Sequence, residues 1–368
     1  MEILVEALDT GTLFDTVVVG AFELANRLVM APLTRSRANP DGTASALMAD
    51  YYAQRATAGL VVAESSYISE QGKSAIKIPG MYSEAHVASW RPVTDAVHAR
   101  GGVLFAQLVH AGRVSHEDLQ PDGGAPVAPS AVAPRAKTFT TQGMVPCPTP
   151  RELAFGEIRA LIGEFVRSAH AAIQAGFDGV EVHAGNGYLI NQFLDATANQ
   201  RSDAYGGSVA GRIRFAVEVV EAVAAEIGPD RVGVRVAPWN NAFGIEPGDD
   251  DVVYPELVRA LPQGVAYLHV REVDDRPLTR RLRELWSAPL ILNPHPAGPQ
   301  GGPATVEQAC HAVAEGVADA VCLGTLFIAN PDLPARIAAG GPFNEPDQSG
   351  FYQGGESGYT DYPPLTQA

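Results

Sequence analysis

Only three cysteines occur in 368 residues, Cys147, Cys310 and Cys322. Their number is odd and none is spaced as C-x-x-C. No disulfide framework or metal site is expected, and the thiols read as reduced in a cytoplasmic protein. Positive charge is also scarce. Lys and Arg number 26 against 42 Asp and Glu, for a formal net charge of -16 with no basic run. That balance excludes nucleic acid and anionic membranes as expected partners. No apolar run approaches a membrane span. Met1 to Asp9 lacks the basic segment and apolar block of a secretory signal, so none is expected. No G-x-G-x-x-G follows the first strand-like segment. Gly72-Lys73-Ser74 looks like the end of a P-loop, but Tyr67 stands where its first glycine is needed. A doubly wound nucleotide fold is therefore disfavoured.

The chain is 46% hydrophobic with a mean hydropathy near zero, enough to bury a large core. Eight short apolar, β-branched runs recur: Arg27–Met30, Leu60–Ala63, Val103–Leu108, Gly179–His183, Val232–Val236, Tyr267–Val270, Leu290–Asn293 and Ala320–Gly324. Near-continuous apolar runs suit parallel strands covered on both faces. Between them lie helical patterns such as Ile158, Leu161, Phe165, Ala169 and Ile173, ended by Gly176, and Ile213, Val217, Val220 and Ile227, ended by Gly228. Strand–helix units at this spacing predict a (β/α)8 TIM barrel forming a single domain over 1–368. Two segments break the rhythm. One, about 110–150, is predicted to be a flap or hairpin over the barrel mouth. The other, about 342–368, is a Gly/Tyr/Pro-rich strap.

In such a barrel, chemistry collects at the C-terminal ends of the strands. The fourth run leads into His183-Ala184-Gly185-Asn186-Gly187-Tyr188. His183 and Asn186 can aim two donors at one oxygen, and Tyr188 adds a weakly acidic proton. That set polarises a carbonyl and protonates a neighbouring carbon. The bland alternative is a capped strand end with a satisfied core histidine. Other strand ends carry Thr34, Gln107 and Arg235: a hydroxyl, a carboxamide and a guanidinium. Gln107 can both donate to and accept from a pyrimidine edge. Arg235 can hold negative charge on a flat heteroaromatic ring. Taken singly, each also has a structural reading: a turn cap, a buried amide, an ion pair.

These residues lie in long motifs: Asn26-Arg27-Leu28-Val29-Met30-Ala31-Pro32-Leu33-Thr34-Arg35, Gln107-Leu108-Val109-His110-Ala111-Gly112-Arg113, Arg201-Ser202-Asp203-Ala204-Tyr205-Gly206-Gly207-Ser208, Ile328-Ala329-Asn330-Pro331-Asp332-Leu333 and Gly358-Tyr359-Thr360-Asp361-Tyr362-Pro363. Through them the chain, from Leu13 to about Leu365, resembles the Old Yellow Enzyme family of FMN-dependent ene-reductases, in its pentaerythritol tetranitrate reductase/N-ethylmaleimide reductase-like branch. The resemblance implies a TIM barrel, an FMN cofactor and NAD(P)H as hydride donor. It implies that Pro32, Leu33, Thr34, Ser65, Gln107, Arg235, His295, Gly324 and Thr325 face the flavin. His183 and Asn186 would bind the carbonyl oxygen of an α,β-unsaturated substrate, and Tyr188 would protonate its α-carbon. Members occur as monomers and homodimers.

The chain departs from that pattern chiefly at the cofactor phosphate. Where the family has a short Gly-rich loop after the seventh strand, Asn293-Pro294-His295-Pro296 opens a longer Pro-rich loop to Pro303, and prolines remove backbone donors. Where the family has glycine then arginine after the eighth, Gly324-Thr325 stands. Losing one charged hydrogen bond costs roughly 1.5–3 kcal/mol. His295 or the Gly301-Gly302 turn would have to compensate. Val109 and Ala75 replace bulky aromatics at the substrate end and Ser65 a smaller residue, so a wider mouth is expected. Three readings follow: an FMN-dependent ene-reductase of small-molecule enones; a flavin-independent isomerase or cyclase using Tyr188 as acid; or a non-catalytic ligand-binding barrel.

Overall fold

The computed structural model describes residues 9–273, 276–295 and 302–365. Eight parallel strands close into a barrel: β1 (Leu28–Met30), β2 (Leu60–Val62), β3 (Leu104–Val109), β4 (Gly179–Ala184), β5 (Val232–Val236), β6 (Tyr267–Arg271), β7 (Leu290–Asn293) and β8 (Ala320–Leu323). Pairing of β3 with β4 and of β8 with β1 completes the ring. All eight predicted runs are strands. Their ends shift by a residue or so: β1 begins at Leu28, β3 extends to Val109, β4 to Ala184 and β6 to Arg271, and β8 stops at Leu323.

The outer ring comprises α1 (Ala46–Gln54), α2 (Glu84–His98), α3 (Phe155–Gln174), α4 (Val209–Ile227), α5 (Asp250–Ala260), α6 (Arg276–Leu285), α7 (Val306–Ala314) and α8 (Leu333–Ala339). In α3 the predicted period holds: Ile158, Leu161, Phe165 and Ala169 are buried against the barrel. Its first turn is tied by Glu157, whose carboxylate accepts from the Ala154 N–H at 2.7 Å. Ser208 caps α4, its hydroxyl accepting from the Gly211 N–H at 3.1 Å. No described helix is long and apolar enough to cross a membrane.

Alternate residues of a strand share a face, and this divides the barrel interior in two along its axis. Near the strand starts the interior is apolar: Val29, Leu60, Phe105, Tyr267 and Ile291 pack with Val19 and Leu24 of an N-terminal hairpin. Two glycines make room for the rings. A Cβ on Gly233 would lie 2.1 Å from the Tyr267 ring, and one on Gly179 would lie 2.5 Å from that of Phe105. Each ring buried this way contributes about 1.5–3 kcal/mol. Two residues further along the same strands the interior turns polar, with Gln107, Glu181, Arg235, His269 and Asn293. The floor is a plug and the mouth is a polar chamber.

The predicted flap is an antiparallel hairpin, Lys137–Thr140 with Gly143–Pro146. It is tied to the barrel by the Thr138 hydroxyl donating to the Ser74 carbonyl and by the Ile76 N–H donating to the Phe139 carbonyl at 3.1 Å. The predicted strap is packed on the barrel as far as it is described. Tyr359 is fully buried and stacks on Tyr51 with ring centroids 4.0 Å apart. Arg201 holds the loop after β4, donating to the carbonyls of Pro129 and Leu153 and pairing with Asp203 at 2.6 Å.

Candidate active site

At the barrel mouth the register sets Gln107 beside Glu181, and His183 beside Arg235, itself beside His269. Glu181 is fully buried. Its Oε1 accepts from Gln107 Nε2 at 2.8 Å. Its Oε2 accepts from His269 Nδ1 at 2.8 Å and from the Tyr267 hydroxyl at 3.1 Å. Burial pushes this carboxyl up, but His269, Arg235 and Gln107 more than offset it and hold it down at about 2. His269 is pushed down, chiefly by burial, so it donates as a neutral imidazole. The carboxylate thus balances Arg235, whose Nε is buried without a partner and whose guanidinium donates to Asn293 Oδ1 at 3.4 Å.

Gln107 is committed at both ends but exhausted at neither. Its Oε1 accepts from the Ser65 hydroxyl, and its amide nitrogen has one proton on Glu181. One donor and one acceptor remain. Pro32, Leu33 and Thr34 form the half-buried, irregular segment after β1. A free donor–acceptor edge, a buried guanidinium whose Nε has no partner and a hydroxyl at the cavity wall fit the ring of a flavin, with its alternating carbonyls and N–H.

His183 is buried and its Nδ1 has no partner. Burial, then the nearby Arg235, hold it down to about 3, so it is neutral at ordinary pH. Its ring meets that of Tyr188 edge-on at 5.4 Å. Asn186 sits at φ 54°, in the left-handed region that asparagine tolerates. Its Oδ1 accepts from Asn240 Nδ2 at 2.8 Å, and Asn240 Oδ1 in turn accepts from the Ala242 N–H at 2.8 Å. The Ala242 N–H fixes the first amide's orientation, which fixes the second. Asn186 is left with its NH2 to offer. Burial pushes the Tyr188 phenol up to about 12, against an opposing contribution from Ser74. His183 and Tyr188 thus bring a neutral imidazole and a retained phenolic proton together, with the Asn186 NH2 unengaged on the same loop.

Of these three, Tyr188 lines a cavity of about 650 Å³. Its walls join Thr34, Ser74, Ala75 and Tyr188 to Phe139 and Met144 of the hairpin, Phe243, and Tyr352 of the strap. Ala75 lines it as expected. Val109 does not: it is the last residue of β3, paired with Tyr67 and 1% exposed. Of the two, only Ala75 lines this cavity. Ser65 meets Gln107 rather than standing free in the site.

At the phosphate end, Asn293 Nδ2 donates to the Cys322 carbonyl at 2.8 Å. His295 Nε2 lies 3.2 Å from Asn293 Oδ1, and its Nδ1 lies 3.2 Å from the Gly302 carbonyl. His295 is therefore half-buried and engaged. The rest of the predicted Pro-rich loop, 296–301, lies outside the described residues. Gly324 and Thr325 are half-buried at the start of a five-residue helix, Thr325–Ala329.

Glu181, Asn240 and Ser74 escaped the sequence reading. Glu181 had a signal: it stands two residues before His183, on the same strand face. Asn240 had none, because its role depends on the loop after β5 folding against the loop after β4.

A family model described as NADH:flavin oxidoreductase / NADH oxidase matches residues 12–344. A probable flavin mononucleotide-dependent alkene reductase of Leishmania infantum is 41% identical over 355 residues, covering 94% of this chain and 95% of that protein. The 12-oxophytodienoate reductase 1 of Oryza sativa subsp. japonica is 40% identical over 354 residues, covering 95% and 92%. Among solved structures, morphinone reductase in complex with tetrahydroNAD superposes with a TM-score of 0.90 at 43% identity, covering 96% and 98%. The old yellow enzyme homologue from Zymomonas mobilis gives a TM-score of 0.91 at 39% identity, covering 96% and 100%. The chain belongs to the NADH:flavin oxidoreductase / NADH oxidase family and, sharing its barrel with Old Yellow Enzyme homologues, is a flavin-dependent oxidoreductase acting on C=C bonds.

Proposed function

We propose that the protein reduces the activated C=C bond of α,β-unsaturated carbonyl compounds with FMN and NAD(P)H, in a ping-pong sequence. The observation that carries this reading is the edge-on meeting of the His183 and Tyr188 rings at 5.4 Å, with the NH2 of Asn186 left unengaged on the same loop. A relative named as an alkene reductase and a similar structure with a bound nicotinamide analogue support it. Thr34, Gln107 and Arg235 would hold the flavin ring. FMN, once bound and reduced by NAD(P)H, supplies the hydride that reaches the β-carbon.

The chain's own residues account for the rest. A substrate carbonyl oxygen set between His183 and Asn186 receives two hydrogen bonds from neutral donors. They strengthen as negative charge gathers on that oxygen, so they favour the transition state over the ground state. His183 has no acidic proton to give at neutral pH, since its pKa lies near 3. Tyr188 keeps its proton to about pH 12 and passes it from Oη to the α-carbon. Water in the cavity then reprotonates the phenolate. One hydride and one proton are added across the double bond, which balances the reduction.

The test is an absorption spectrum after excess FMN and desalting, then anaerobic reduction by NADPH and reoxidation by cyclohexenone. One equivalent of flavin that cycles is expected. Protein that retains none overturns the reading. A second reading, a flavin-independent isomerase or cyclase with Tyr188 as acid, is favoured by one observation: uncharged Thr325 at the end of β8. Colourless protein that still converts an enone or polyene would select it.

A further inference from the structure

Buried and half-buried arginines in this chain almost all spend their protons on named acceptors. Arg35 and Arg37 bond the strap's carbonyls, Arg201 and Arg212 pair with Asp203 and Asp249, and Arg336 pairs with Asp332. Arg271 differs. It ends β6, two residues beyond His269 and four beyond Tyr267, so the same alternation carries it to the inner rim of the mouth. It is half-buried, yet its guanidinium makes no hydrogen bond or ion pair among the described residues.

Its surroundings are cationic. In register it faces Asn293, whose Oδ1 is already shared by Arg235 and His295. Burial and then Arg235 lower Arg271 to about 10, and Arg271 in turn helps depress His295. Among the described residues no carboxylate pairs with this charge. Glu181 is occupied by Gln107, Tyr267 and His269, and the adjacent Glu272 is taken by Arg276 at 2.8 and 3.0 Å. A partly desolvated guanidinium with five donors and no acceptor is a site for an anion, and its planar fork matches a phosphate.

We propose that Arg271, on β6, is the cation that grips the phosphate of FMN. It supplies from the sixth strand the charge that Thr325 cannot supply after the eighth. This inference rests on the flavin reading above. It also says why the altered loop need not cost the cofactor.

The experiment compares FMN with riboflavin, which has the same ring and no phosphate. Full-length protein freed of flavin in concentrated bromide is titrated with each, following flavin fluorescence. The wild type is expected to favour FMN. Arg271→Gln should weaken FMN by about 10- to 100-fold and leave riboflavin unchanged, with Arg271→Lys between. Adding Thr325→Arg to the Arg271→Gln variant should restore part of the preference, a gain that misfolding cannot mimic. An unchanged FMN-to-riboflavin ratio in Arg271→Gln overturns the inference alone, as does equal weakening of both ligands. A wild type that binds neither overturns the flavin reading and this inference with it.

Discussion

Gln107 and Glu181 face each other on neighbouring strands, Nε2 to Oε1 at 2.8 Å, sealed from solvent. The contact orients the amide, so its remaining donor and acceptor are presented in fixed order. It also places a buried carboxylate where it can balance Arg235. Glu181→Gln removes that charge and leaves Arg235 uncompensated. Breaking one side of a buried ionic arrangement typically costs 3–5 kcal/mol; because glutamine keeps part of the hydrogen bonding, a loss of about 3 kcal/mol in urea unfolding is expected. A loss below about 1 kcal/mol would show that Glu181 carries no such burden.

Asn240 acts on the reaction only through Asn186. Removing its Nδ2–H lets the Asn186 amide rotate and offer oxygen instead of nitrogen to a substrate. Asn240→Ala is expected to lower kcat/KM for cyclohexenone about tenfold, the worth of roughly one neutral hydrogen bond. Flavin content and the rate of reduction by NADPH should stay unchanged. If both half-reactions slow together, the effect is on the cofactor and the orientation argument fails.

The pH profile of reoxidation discriminates between His183 and Tyr188 as the proton source. With His183 near 3 and Tyr188 near 12, neither group titrates between about pH 5 and 9. The rate of reoxidation by the enone should be flat there, and Tyr188→Phe should lower it while sparing flavin reduction. A rate that falls as pH rises through about 6.5 would instead assign the proton to an ordinary histidine.

The barrel could be read from the sequence because parallel strands buried on both faces write themselves as short apolar runs. The flat plug and polar chamber were harder. Glu181 and His269 interrupt such runs, and only the register shows that they meet. His183, Asn186 and Tyr188 were legible as a local cluster after one strand. Asn240 was not, since it comes from another loop. The resemblance put Val109 at the substrate end, but β3 continues through it and pairs it with Tyr67. Arg35 directly follows Pro32-Leu33-Thr34, the segment the resemblance sets against the flavin, yet it bonds the carbonyls of Gly350 and Gly358 more than three hundred residues away. Aperiodic straps of this kind are held by single side chains, which leave no pattern.

That strap anchorage has a pH-dependent neighbour. Glu64 is fully buried just beyond β2. Its Oε2 accepts from the Arg35 N–H at 3.3 Å and its Oε1 from the Tyr52 hydroxyl at 3.3 Å. Burial outweighs these contacts and the nearby Arg35 charge, and pushes the carboxyl from 4.5 to about 7. A carboxyl raised on folding binds its proton more tightly in the native state. Its stabilising contribution is complete below about pH 4.5 and is lost as pH rises through about 7. The shift corresponds to about 3 kcal/mol. Glu64→Gln is neutral at every pH and should not show this loss. Urea unfolding of the two proteins from pH 4.5 to 8.5 should therefore show the wild type losing stability relative to Glu64→Gln by that order, with the difference constant above about pH 8. A difference that stays level across the range would mean that Glu64 ionises as freely in the fold as out of it, with Arg35 and Tyr52 fully repaying its burial.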